Sequence, residues 1–226
     1  MDTLINNRDA IWSGFQTTLW LLLIAGVLAT VMGTILAAFR VSPIGSLRAF
    51  GTSYVNVFRN TPLVLVLALA IAVIPTLGFN DLAFSIAGRE FTTFFTVAMF
   101  GLAFYTAAFV CEAVRSGVNS VSTGQAEAAR SIGMTFTQSL RLIVLPQAFR
   151  TVIPPLTSIY IALAKNTSVA AIFGVPEAAY QMRRLSNKYT SDIWYIFVGI
   201  AVGYIIIVLT ISLISSLVER KVAVVR

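Results

Sequence analysis

Five long apolar stretches separated by shorter polar segments organise the chain, at roughly 15–39, 54–75, 92–114, 147–173 and 193–217. An α-helix needs about 20 mostly apolar residues to cross a bilayer, and each stretch meets that length. The first is too long and too uninterrupted for the core of a signal peptide. No small-residue cleavage site follows it, so it is expected to persist as a helix. There is no internal repeat and no low-complexity segment. The pattern predicts an all-α integral membrane protein, a single transmembrane domain over 1–226 with five spans. The largest loop lies at about 115–146.

Composition agrees. Of 226 residues, 58% are hydrophobic and 11% charged. A soluble domain carries about a quarter charged residues, so lipid is the expected solvent. The net charge of +7 reads as membrane topology rather than nucleic-acid binding, because the basic residues sit in loops between apolar runs. Arg40, Arg48 and Arg59 fall on one side, with Arg115, Arg130, Arg141, Arg150, Arg220, Lys221 and Arg226. Arg8, Arg89, Arg183, Arg184 and Lys188 fall on the other. Ten against five places the N-terminus outside and the C-terminus in the cytoplasm. The trio Arg183, Arg184 and Lys188 runs against the rule; it is either structural or faces an anionic partner outside.

Chemistry of the chain's own is not expected. There is no histidine, which removes the commonest metal ligand and general base. The one cysteine, Cys111, sits in an apolar stretch and reads as a small buried hydrophobe. No GxxxxGK[ST] sequence is present to cradle the phosphates of ATP.

The cytoplasmic segment Ser122–Pro146 reads STGQAEAARSIGMTFTQSLRLIVLP. Ser122 and Gln125 have capping-box spacing, which predicts a short helix from about Thr123 to Ile132. Gly133 suits the left-handed position that ends it. Ala126, Ala128 and Ala129 make the helix thin, so that another protein can approach its backbone. Glu127 stands near its N-terminus, where the helix dipole favours an anion. Phe136, Leu140, Ile143 and Val144 predict a second amphipathic stretch, and Pro146 suits the first turn of the fourth span.

Glu127-Ala128-Ala129, then Gly133, Ile143 and Leu145-Pro146, resembles the EAA loop of bacterial ABC-importer permeases. Phe58-Arg59-Asn60-Thr61-Pro62-Leu63 is similar to the FRxTPL signature of the polar amino-acid permeases. Leu145-Pro146-Gln147-Ala148-Phe149-Arg150 and Lys165-Asn166-Thr167-Ser168 look like the same subfamily, and in detail like glutamate-uptake permeases of Gram-positive bacteria. The resemblance covers nearly the whole chain. It implies a type I importer permease fold, five spans with an external N-terminus, and import of a polar amino acid, glutamate first. It also implies that Gln125, Glu127, Ala128, Ala129 and Gly133 form a coupling helix seated on an ATPase. The implied partners are an ATPase dimer, which holds the ATP and Mg, a second permease and an extracellular solute-binding protein, besides membrane lipid. No cofactor is expected in this chain. The competing reading is an ion-coupled secondary amino-acid transporter, for which the EAA-like loop would be coincidence.

Two features suggest a solute path. Pro154-Pro155 is expected to kink or break the fourth span, and Lys165, Asn166, Thr167 and Ser168 follow, polar within an apolar run. Broken helices with polar groups at depth mark transport sites. Lys165 either faces the path and attracts a solute carboxylate, or pairs with Glu112, the other charge at membrane depth; the two roles can coexist. Glu112, also placed on the path, has a second candidate partner in Arg115, one turn away. Arg59, Thr61 and Pro62 are placed at a gate or inner mouth.

Overall fold

A computed structural model describes residues 2–79 and 81–222; Arg226 of the basic tail lies outside them. A short helix α1 (Asp2–Asn6) runs almost directly into α2 (Arg8–Val41). At 1.5 Å per residue, α2 is about 50 Å long, more than a bilayer needs. The helix therefore extends beyond both ends of the apolar stretch at 15–39. The central element is α5 (Thr93–Asn119), the most deeply buried of the long helices.

The seam between α2 and α5 is made of small residues. Leu21, Ala25, Ala29, Gly33 and Leu36 recur at helical spacing on α2, against Ala98, Leu102, Ala103, Ala107 and Cys111 of α5. In lipid, helices associate through close van der Waals packing, and small side chains let backbones approach. The approach is close enough at Gly33 that an added Cβ would lie 2.6 Å from Val110 and 2.8 Å from the Ala107 carbonyl oxygen.

The second apolar stretch is not one straight helix. It divides into α3 (Gly45–Asn60) and α4 (Leu63–Thr76), bent by 107°. Pro62 has no N–H and forces the residue before it out of the helical region, and Thr61 is extended at φ −101°, ψ 129°. Four helices among the described residues are long and apolar enough to cross a membrane, five when the bent pair counts as one span.

A small hairpin joins α4 to α5, a feature the hydrophobic pattern did not announce. β1 (Phe84–Ile86) pairs antiparallel with β2 (Arg89–Phe91), Phe84 opposite Phe91. Its turn, Ala87-Gly88, has both residues at positive φ, as a tight two-residue hairpin requires. Arg89 anchors it to α2, donating to Gln16 Oε1 at 2.6 Å, Ser13 O at 3.0 Å and Thr17 Oγ1 at 2.8 Å.

Beyond α5 lie two short helices, α6 (Thr123–Ser131) and α7 (Phe136–Ser139), and a π turn at Leu140–Val144. Next comes α8 (Leu145–Asn166), continuous through Pro154-Pro155. The expected break is absent there: the segment stays helical through both prolines. The winding changes later instead, where α8 tightens into a 3₁₀ turn at Thr167–Phe173, closed by Gly174 at φ +86°. The chain ends with α9 (Ala178–Lys188) and α10 (Ile193–Val222). Only 11% of the apolar window of the last span is buried within the chain, so its surface meets lipid or other subunits.

Candidate functional site

The segment between α5 and α8 forms a projection closed tightly at its base. Gly117 of α5 packs on Val152 of α8, and the Ser120 and Thr151 hydroxyls lie 3.1 Å apart. From this base α6 emerges. Gly133, at φ +87°, follows its C-cap Ile132. The Gly133 N–H donates to Arg130 O and the Met134 N–H to Ala129 O, which together make a Schellman motif. Gln125, Glu127, Ala128 and Gly133 are exposed, and Ala129 is turned inward and buried. The side chains of Ala126 and Phe136 lie outside the described residues.

The capping box is one motif further on than the spacing suggested. Ser122 does sit at the N-cap of α6, but its hydroxyl makes no cap bond. The side chain of Gln125 turns away to accept from Gln147 Nε2 of α8. The reciprocal box belongs to Thr135 and Gln138 at the start of α7: the Gln138 N–H donates to Thr135 Oγ1 at 3.3 Å, and the Thr135 N–H to Gln138 Oε1 at 2.8 Å. The second amphipathic stretch is thus a single capped turn followed by a π turn, a wider winding often found at functional positions.

The polar run at the end of α8 is divided. Lys165 is exposed and makes no ion pair among the described residues, and Asn166 is half-buried. Thr167 is fully buried, and its hydroxyl donates to Ala164 O at 2.8 Å. The Ser168 hydroxyl donates to Lys165 O at 2.7 Å. Thr167 is therefore withdrawn as a solute contact, because its one donor is spent inside the fold. Lys165 is the exposed group of the run, with Asn166 and Ser168 half-buried.

Glu112 stands apart from this run and does not pair with Lys165. Its carboxylate accepts from Arg40, lies 3.4 Å from Arg59 and 3.8 Å from Arg115. The expectation that it joins Lys165 on a solute path is corrected by these three cations, which claim it near the ends of α2, α3 and α5. Arg59 also stacks over Phe109, 5.9 Å from the ring centre. Thr61 and Pro62, just beyond, are the bend itself.

One buried acid escaped the sequence reading. Glu177 is fully buried at the N-cap of α9. It accepts from Thr18 Oγ1 of α2 at 3.1 Å, from the Tyr180 N–H at 2.8 Å, and from the Tyr204 hydroxyl of α10. The signal was the cap position after Gly174 and Pro176, hidden because the segment reads as an ordinary outer loop. Arg183 of the anomalous basic trio has a structural role: it donates to the Ala171 carbonyl, near the end of the 3₁₀ turn, at 3.2 Å.

Residues 29–224 match the family described as binding-protein-dependent transport system inner membrane component. The chain is 40% identical over 216 residues to the glutamate transport system permease protein GluC of Corynebacterium efficiens, covering 93% of this chain and 92% of that protein. It is 37% identical over 214 residues to the glutamate/aspartate import permease protein GltJ of Escherichia coli K12, with 94% and 87% covered. A solved amino acid ABC transporter crystallised with histidines superposes with a TM-score of 0.84 at 29% identity, covering 96% of both chains.

Proposed function

Because the chain belongs to the family of binding-protein-dependent transport system inner membrane components, it is a permease subunit of an ATP-binding-cassette importer for amino acids, and we propose that its cargo is glutamate, moved inward across the plasma membrane. The relatives GluC and GltJ, named for glutamate and for glutamate/aspartate, support that substrate class. The chain does no chemistry itself. ATP and Mg²⁺ are held by a partner ATPase dimer, and a second permease and an extracellular solute-binding protein complete the assembly. The N-terminus is outside and the C-terminus cytoplasmic.

One observation carries the coupling role. An exposed, thin helix, α6, stands on a base where α5 and α8 are locked together by Gly117, Ser120, Thr151 and Val152. A load on Glu127 and Ala128 passes straight into two helices of the bundle. Gln125, Glu127, Ala128 and Gly133 meet the ATPase, and Ala129 seats the helix on its own scaffold. Lys165 and Asn166 line the solute path, with the bend at Thr61 and Pro62 at its inner mouth.

The direct test is copurification. The chain, expressed with its ATPase, is captured by a tag on either subunit. Both should appear in the eluate, and Glu127→Arg should remove the ATPase while leaving the chain folded. An ATPase that stays bound to Glu127→Arg defeats the assignment of α6.

A further inference from the structure

Three guanidinium groups converge on one carboxylate near the ends of α2, α3 and α5. The Arg40 side chain is 9% exposed and donates to Glu112 Oε1. Arg59 stands 3.4 Å from the same oxygen and Arg115 3.8 Å from Oε2. Glu112 is the only carboxylate among the described residues within ion-pair distance of any of the three. Each guanidinium brings five donors, against about four lone-pair sites on a carboxylate. The cluster therefore keeps two net positive charges, and Glu112 can fill only a minority of its donors. Arg40, the buried one, holds the close contact, as a desolvated charge must. The surplus falls on Arg59 and Arg115, whose side chains are 46% and 40% exposed.

The surroundings select the counter-ion. Arg59 stacks over Phe109, 5.9 Å from the ring centre, and Val118, one turn beyond Arg115 on the same face of α5, is exposed. Apolar groups beside cationic tips suit the boundary between acyl chains and headgroups. Basic pockets between spanning helices take anionic headgroups there. We propose that Arg59 and Arg115 bind the phosphate of an anionic lipid, with Glu112 as an internal competitor for the same donors. The site stands on this cluster alone and does not depend on the transport reading.

The test is native mass spectrometry of the purified full-length chain with short-chain phosphatidylglycerol or phosphatidylcholine. Wild type should retain phosphatidylglycerol in clear excess. Each of Arg59→Gln and Arg115→Gln should lower that retention about fivefold, from roughly one unit of surface attraction per cation. Glu112→Gln should raise it, a direction that damage to the fold would not produce. Equal retention of the two lipids by wild type overturns the proposal. So does phosphatidylglycerol binding that neither arginine substitution changes. Displacement of phosphatidylglycerol by millimolar glutamate overturns it as well, by giving the site to the solute instead.

Discussion

The Thr18 hydroxyl donates to the Glu177 carboxylate across 3.1 Å, joining residues 159 positions apart in the interior of the bundle. With the Tyr180 N–H and the Tyr204 hydroxyl on the same carboxylate, α2, α9 and α10 share one buried acceptor. Glu177→Gln keeps the volume but sets an amide donor against groups that already donate. A buried group left unsatisfied costs about 1–3 kcal/mol. Glu177→Gln is expected to lower the thermal midpoint of the detergent-purified chain, and an unchanged midpoint would remove Glu177 from the packing account.

The seam of small residues makes a paired prediction. Gly33→Leu forces a side chain into Val110 and the Ala107 carbonyl, and overpacking of this kind costs about 1–3 kcal/mol. Gly45→Ala meets nothing within 4 Å and should be neutral or slightly stabilising. Melting curves of the two variants separate close packing from a general intolerance of substitution.

Gly133 ends α6 at φ +87°, a conformation that costs an ordinary residue about 1–2 kcal/mol. Gly133→Val is expected to redirect the chain after α6 and weaken ATPase capture, whereas Gly133→Asn should retain most of it, since asparagine tolerates this region. Equal capture by the two variants would mean that the Schellman turn has no part in docking.

Among the described residues Lys165 makes no ion pair. Lys165→Met should therefore leave assembly and basal ATP hydrolysis intact while uptake of glutamate falls. Failure of the complex to assemble would instead make Lys165 a packing residue.

Much of this was legible in the sequence because lipid imposes long apolar runs and leaves charge to the loops. The C-terminal end of α6 was readable, since the Schellman turn at Gly133 is made by local bonds. What escaped reading depends on contacts between distant elements. Gln125 had two partners open to it, and only the placement of Gln147 decided against the cap. Glu112 was matched to Lys165 by apparent depth and to Arg115 by helical spacing; Arg115 is found beside it, and Arg40 and Arg59 join because α2 and α3 pack against α5. Glu177 looked like a loop residue, because nothing local reports that Thr18 and Tyr204 enclose it. Pro154-Pro155 predicted a kink or break, yet α8 stays helical through both.

The central claim is that α6 delivers the work of ATP hydrolysis to this bundle. The direct measurement is glutamate uptake into proteoliposomes holding the chain with its ATPase, second permease and solute-binding protein. ATP-dependent uptake with the native chain, abolished by Glu127→Arg, is the result this account requires. Uptake by the chain alone, or uptake that persists without ATP, would contradict it.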